Sequence, residues 1–310
     1  MSIMARVLCA KDLDEFTLLI QQYIMHISQP QITIEKFKKQ LQNSIETGLR
    51  YVLGAYDENN KPLGLLIHDP KFNRISLIFA NSDFSVEKEL FDKMFGEFSE
   101  ISPTITFDSG YPIPWISLEF SEYAISSGFM KHDRCFMMLQ RPKSMDHHDL
   151  PDNFHLIPFS ESEIEDVTKM VFQSVDGSID QNLFPFVYES FDTTLRFHQQ
   201  IIAGDFGIHK PSYSWILKKG DDCIGACFMT TSEEHIGHLM HLAIAPDFRR
   251  RGLGKNLLLH SLHNLFTIEP NLVKVDLTVT LSNPVRNLYV SIGFKRVNDM
   301  STFVWKKRNQ

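Results

Sequence analysis

One stretch constrains this chain more than any other: an apolar strand-like run that breaks into three arginines and two glycines and then into a helix. It reads His241-Leu242-Ala243-Ile244-Ala245-Pro246-Asp247-Phe248-Arg249-Arg250-Arg251-Gly252-Leu253-Gly254-Lys255. The residues before Pro246 are small and apolar, as in a buried strand. Beyond Gly254, Leu257, Leu258, Leu262, Leu265 and Phe266 recur at helical spacings, so the loop falls at a helix N-terminus. The leading N–H groups of a helix have no partner inside it, and the dipole end is positive, which together attract an anion such as a phosphate. Gly252 and Gly254 allow close backbone approach, and Arg249, Arg250 and Arg251 add charge and fork-shaped donors. The order Gly-x-x-x-x-Gly-Lys-Ser/Thr of a nucleotide-binding loop is absent, which disfavours a nucleotide-binding protein.

A second block follows. Val275-Asp276-Leu277-Thr278-Val279-Thr280 reads as a strand, Asn283-Pro284 as a break, and Asn287-Leu288-Tyr289-Val290-Ser291-Ile292-Gly293-Phe294 as a short helix closed by glycine and followed by another strand. An Arg-x-x-Gly-x-Gly loop, then a strand, an Asn and Leu-Tyr-x-x-x-Gly-Phe, in that order, closely resembles the GNAT superfamily of acyl-CoA-dependent N-acyltransferases. The resemblance implies that the loop holds the pyrophosphate of coenzyme A, and that acetyl-CoA is the cosubstrate.

At 310 residues the chain is long for one such domain, so two are expected. A content of 43% hydrophobic and 22% charged residues suits a soluble protein with a real core. No apolar run reaches the length of a membrane-spanning helix, and Met1 to Leu8 lead into mixed polar sequence without a signal-peptide core, so a cytoplasmic location without membrane association is expected. The net charge of −7 argues against nucleic acid as a partner. Cys9, Cys135, Cys223 and Cys227 are sparse and lie among apolar residues, which predicts reduced, buried thiols; no metal is expected. Of the basic clusters, Arg249 to Arg251 have a phosphate to meet, whereas Lys306-Lys307-Arg308 reads as a solvated end.

The chain also repeats itself. Glu122 to Phe129 followed by Arg134 to Leu139 matches Asn287 to Phe294 followed by Ser301 to Trp305, each read as a helix ended by Gly-Phe and a returning hairpin. Upstream, Arg50–Tyr56, a polar turn and Leu63–Ile67 match Tyr213–Leu217, a polar turn and Ile224–Phe228, each a β-hairpin signal. The join is the polar stretch Arg141 to Asn153. The expected organisation is an α+β chain of two tandem GNAT-fold domains, each a mixed, mostly antiparallel sheet flanked by helices: residues 1–143, a linker 144–153, and a catalytic domain 154–310. The first half is expected to be degenerate. Its strand Ile75–Ala80 runs into Asn81 to Ser85 with no arginine or glycine pair, Asp83 and Glu87 would repel a pyrophosphate, and Ala124 stands opposite Tyr289.

Acyl transfer from a thioester to an amine needs a neutral amine, a polarised carbonyl and a proton for the departing thiolate. The resemblance places Tyr289 as the general acid, although a tyrosine there also packs the helix on the sheet. Counting six residues back from Ile244, as the resemblance implies for the base, gives His238, and a histidine changes charge near neutrality. By strand alternation His238 is expected to share a face with Met240 and Leu242, with His235 and His241 on the other side. Glu233 and Glu234 are a fallback base in a turn. The backbone of Leu242, Ala243 and Ile244 is expected to polarise the carbonyl, with Arg249 to Lys255, including Leu253, cradling the coenzyme. Asn283 is expected near the pantetheine arm; it also reads as an N-cap before Pro284. Asp176, Asp180, Glu189 and Asp192 lie among aromatics from Phe184 to Phe197 and could hold a cationic amine, the alternative being core aromatics with solvated acids. The expected function is N-acetyl transfer from acetyl-CoA to a primary amine on a small molecule or peptide. The competing reading is a noncatalytic acyl-CoA-binding or regulatory module.

Overall fold

The structure is a computed structural model that describes residues 3–27, 33–143, 150–151 and 153–307; most of the stretch 144–153 lies outside the described residues. Contacts divide the chain into two compact units, Met1–Arg134 with Asp299–Gln310, and Cys135–Asn298. These differ from the boundaries 1–143 and 154–310 because two long strands are each divided between the units.

In chain order the first half holds β1 (Met4–Val7), α1 (Thr17–Ile27), α2 (Ile34–Glu46), β2 (Tyr51–Tyr56), β3 (Pro62–Asp69), β4 (Arg74–Phe79), α3 (Phe84–Phe98), β5 (Thr104–Gly110), α4 (Leu118–Ser126) and β6 (Met130–Gln140). The second holds β7 (Phe154–Pro158), α5 (Ile164–Val175), α6 (Ile179–Leu183), α7 (Pro185–Tyr188), α8 (Phe191–Ala203), β8 (Trp215–Lys219), β9 (Asp222–Thr231), β10 (Ile236–Ile244), α9 (Leu253–Ile268), β11 (Lys274–Thr280), α10 (Arg286–Ile292) and β12 (Lys295–Lys306). The order strand, helices, three strands, helix, strand, short helix, long strand occurs twice, as the internal repeat requires.

In the first unit β1 to β4 are antiparallel neighbours, and β4 then pairs β5 in parallel. The hairpin β2–β3 closes where Asp57 accepts hydrogen bonds from the amides of Asn59 and Lys61, both at 2.8 Å. Residues Met300–Lys306 of β12 pair antiparallel with β5. Phe303 stacks on Phe107 at 4.5 Å between ring centroids, within an aromatic core that includes Phe91, Phe120 and Phe129. No hairpin follows either Gly-Phe pair. β6 and β12 each run as one strand, since neither stretch has the Asn-Gly or Asp-Gly pair that closes a two-residue turn.

In the second unit the strand order is β6, β11, β10, β9, β8, β7, where β6 contributes Cys135–Gln140. One face carries α9, whose Leu257, Leu258, Leu262 and Leu265 are fully buried with Cys227, Met229 and Val275. The other carries α5, α7 and α8, with Val167, Val171, Tyr188 and Ile201 packed on Phe228 and Ala243. Arg141, read as the start of the linker, is tied into this unit: its guanidinium donates to the carbonyls of Phe266 at 2.7 Å and Pro270 at 2.8 Å. No helix among the described residues is long and apolar enough to cross a membrane.

Candidate active site

The second sheet opens at one point. β10 and β11 pair in parallel only at Ile236–His238 against Lys274–Asp276 among the described residues, although the strands continue to Ile244 and Thr280. On its other edge β10 stays laddered to β9 as far as Ile244 opposite Gly225. From Leu239 to Ile244 the edge that faced β11 is thus released from the ladder, and backbone amides there can meet a carbonyl oxygen. Leu242, Ala243 and Ile244 lie on this segment.

A β-bulge between Leu239 and His241 changes which side chains share a face. Leu239, Leu242 and Ile244 pack toward α9, whereas Met240, His241 and Ala243 lie toward α5, α7 and α8. By the pleat on either side of Leu239, His238 points with Met240, and the bulge then brings His241 to that same face. The expectation that His238 shares a face with Leu242 and opposes His241 is therefore corrected: one inserted residue breaks the two-residue period.

His238 is half-buried, and its Nδ1 lies 2.6 Å from Oδ1 of Asp276, directly across the last paired rung. A carboxylate there fixes the orientation of the imidazole. Sequence reasoning missed Asp276, because its partner is set by a parallel register across the α9 crossover. His235, Glu233 and Glu234 are exposed in the turn before β10.

His241 is buried, and its Nδ1 shares a hydrogen bond with the Tyr188 hydroxyl at 3.1 Å. Its neighbour His198 is fully buried, bonded through Nδ1 to the Thr168 hydroxyl at 2.9 Å and stacked on Phe228. Burial lowers the pKa of His241 to about 4; burial, and then His241, lower that of His198 to about 3, so both rings are neutral near pH 7.

Tyr289 projects from α10 into the α9 core and is 7% exposed. Burial, and then the Cys227 and Asp180 charges, raise its pKa, so the hydroxyl keeps its proton and can act only as a donor of one. Gly293 closes α10 with φ of 111°, a left-handed cap that aligns Phe294 against the Tyr289 ring.

The glycine loop sits between the end of β10 and the start of α9. Gly252 precedes α9 with φ of 79°, and a Cβ built there would meet open space, so this position demands glycine by conformation alone. Gly254 differs. Its Cβ would lie 3.4 Å from Ile244, so its smallness serves helix–strand packing. No side chain caps α9, which leaves its first N–H groups for a ligand. The arginines divide the work. Arg249 donates through Nε to the Ile244 carbonyl at 2.9 Å and through its fork to the Ser174 carbonyl, joining the strand end to α5. Arg251 bonds the Asp247 carbonyl at 2.9 Å. Arg250 and Arg251 are exposed, with Lys255 half-buried one turn into the helix. A pyrophosphate fits this cradle of exposed cations, open glycine and uncapped helix start.

Asn283 caps the turn before α10, its Oδ1 accepting from the Val285 amide at 3.1 Å, while its Nδ2 donates to Oδ2 of Asp180 at 3.2 Å. Asp176, Glu189 and Asp192 are exposed, and Asp180 alone of the four acids is half-buried.

The first unit has the same opening, with β4 and β5 paired only at Arg74–Ile75 against Thr106–Phe107 among the described residues. A cavity of about 190 Å³ lies beside it, lined by Ile78, Phe79, Asn81, Glu87 and Trp115 among others. Here the helix start is already satisfied: Asp83 accepts from the Ser85 and Val86 amides at 3.0 and 3.3 Å. Buried Glu87 accepts from the amide and hydroxyl of Ser117. Of the cysteines, Cys135 and Cys227 are buried as expected, but Cys9 is exposed.

Residues 185–305 match the family model of the acetyltransferase (GNAT) domain. No curated protein matches the sequence. Among solved structures, a GCN5-related N-acetyltransferase from Sphaerobacter thermophilus superposes with a TM-score of 0.66 at 12% identity, covering 99% of this chain and 96% of that one. A tandem GNAT protein from the clavulanic acid biosynthesis pathway gives 0.60 at 12%, covering all of both chains. A glucosamine N-acetyltransferase region of a fungal multi-domain β-N-acetylglucosaminidase gives 0.64 at 15%, covering 98% of this chain and 38% of that one. Residues 185–305 thus match the acetyltransferase (GNAT) domain model, and the chain as a whole shares the fold of tandem GNAT proteins.

Proposed function

We propose that the second unit transfers an acetyl group from acetyl-CoA to a primary amine. The observation that carries this reading is the release of β10 from β11 beyond His238, next to the uncapped α9 start and the proton-bearing Tyr289. In this reading Arg250, Arg251, Gly252 and Lys255 hold the pyrophosphate, and the freed amides between Leu242 and Ile244 bind the carbonyl oxygen. The thioester supplies an activated acyl carbon. His238, oriented by Asp276, accepts a proton from the amine; the nitrogen–carbon bond forms as the carbon–sulfur bond breaks, and the Tyr289 hydroxyl protonates the leaving sulfur. Arg249 and Asn283 keep the loop and the turn in place through their carbonyl and cap bonds.

The first unit, in the same reading, binds no coenzyme, because Asp83 occupies the helix start that the phosphate would need.

The test is a screen of primary amines with acetyl-CoA that follows release of free thiol. Thiol release that depends on one class of amine supports transfer. Binding of coenzyme A without turnover on any amine would favour a noncatalytic acyl-CoA-binding module.

A further inference from the structure

In the segment α6–α7, Asp180 and Tyr188 are tethered beside different ones of the two diverging strands. Asp180 is bonded by Asn283, which stands just after β11. Tyr188 is bonded to His241 on β10. Burial chiefly, with the Asp180 charge as a smaller contribution, raises the pKa of both Tyr188 and Tyr289. Around them lie apolar rings: Phe184 is 6.5 Å from Tyr188 and 6.0 Å from Phe186 between centroids. Neither tether is local, since Asp180 and Asn283 are 103 residues apart and Tyr188 and His241 are 53 apart.

We propose that Asp180 and Tyr188 form the acceptor subsite and select a primary ammonium carried on an apolar or aromatic group. The Asp180 carboxylate holds the cation in a setting shielded enough for the attraction to exceed that of a surface pair. Tyr188 keeps its proton and His241 stays neutral, so with Nδ1 as the acceptor of the Tyr188 hydroxyl hydrogen, the phenol oxygen has lone pairs left for an N–H of the amine. Phe184 and Phe186 offer ring faces to the carbon skeleton and to the cation. A neutral alcohol of the same shape gains the apolar contacts without the ion pair, and is therefore a poor ligand.

This assignment rests on the acyl-transfer reading above, and its test separates the two. Calorimetry on the full chain first measures coenzyme A, then 2-phenylethylamine and its neutral counterpart 2-phenylethanol on the coenzyme-saturated protein. Wild type should bind the amine at least tenfold more tightly than the alcohol. Asp180→Asn, which keeps the shape and a partner for Asn283, should weaken the amine by 10- to 100-fold and leave coenzyme A and the alcohol unchanged. Tyr188→Phe should weaken the amine by severalfold, again without changing coenzyme A. Equal affinity of wild type and Asp180→Asn for the amine, or no preference of wild type for amine over alcohol, would overturn the subsite. Failure of wild type to bind coenzyme A would instead overturn the reading on which it rests.

Discussion

His238 and Asp276 face each other at 2.6 Å on the last rung before β10 and β11 separate. The imidazole is therefore oriented at the apex of the opening rather than along its length. If His238 accepts the amine proton, His238→Ala should lower kcat/KM by ~10²–10⁴-fold. The loss should shrink as the pH falls, since a protonated imidazole can accept no proton from the amine. Asp276→Asn keeps the side-chain shape but removes the charge that favours one ring orientation, and should give a smaller loss. Thiol release from pH 6 to 9 distinguishes the three proteins; equal rates throughout would remove His238 from the mechanism.

Tyr289→Phe removes one oxygen from a side chain packed in the α9 core. Coenzyme A affinity and melting temperature should stay close to wild type, while turnover falls by ~10²–10⁴-fold, as for loss of a general acid. Full turnover in the variant would make the tyrosine purely a packing residue.

A third expectation concerns the loop. Calorimetry should give one acetyl-CoA per chain, with Asp83 excluding the second site. At a hundred times its dissociation constant the ligand should add about 2.7 kcal/mol to stability. Gly252→Val places a β-branched residue at φ of 79° and should abolish binding, chiefly by refolding the turn. Two equivalent sites per chain would show that the first unit still binds coenzyme.

Stability should also depend on pH. His68 in the first unit is fully buried and packs at a tilt against Phe98, with ring centroids 4.2 Å apart, and burial lowers its pKa to about 4. With His198 near 3 and His241 near 4, three rings have native values below the 6.5 of an exposed histidine. Between pH 6.5 and 4 the unfolded chain binds more protons than the native one, so the stability these neutral rings permit is present above that window and falls as pH drops through it. Each tenfold difference in proton affinity corresponds to about 1.4 kcal/mol. Urea midpoints measured from pH 7.5 to 4.5 should decline steadily, and His68→Leu should flatten the decline. A flat profile in the wild type would contradict the burial of these rings.

The parts of this fold that were legible in the sequence are local ones. The glycine loop, the hairpins β2–β3 and β8–β9 and the short helices ended by Gly128 and Gly293 each depend on a few consecutive residues and a left-handed position. The repeat was legible because both halves keep that punctuation. What escaped depends on register or distance. A single bulge before His241 turned two histidines to one face, and Asp276 and Asp180 meet partners that no short window contains. Cys9 sits in a hydrophobic sequence, yet it ends exposed beside a short helical turn.

The division of β12 gives the order of synthesis a structural meaning. Residues Met300–Lys306 pair with β5 in the sheet of the first unit, so that unit lacks a strand until residue 306 has been made. A ribosome that has released residues 1–143 has produced a sheet with β5 still lacking this neighbour. Vectorial folding of the N-terminal half must therefore wait for the C-terminal one, and a fragment ending at residue 143 would present a bare strand edge prone to pairing with other chains.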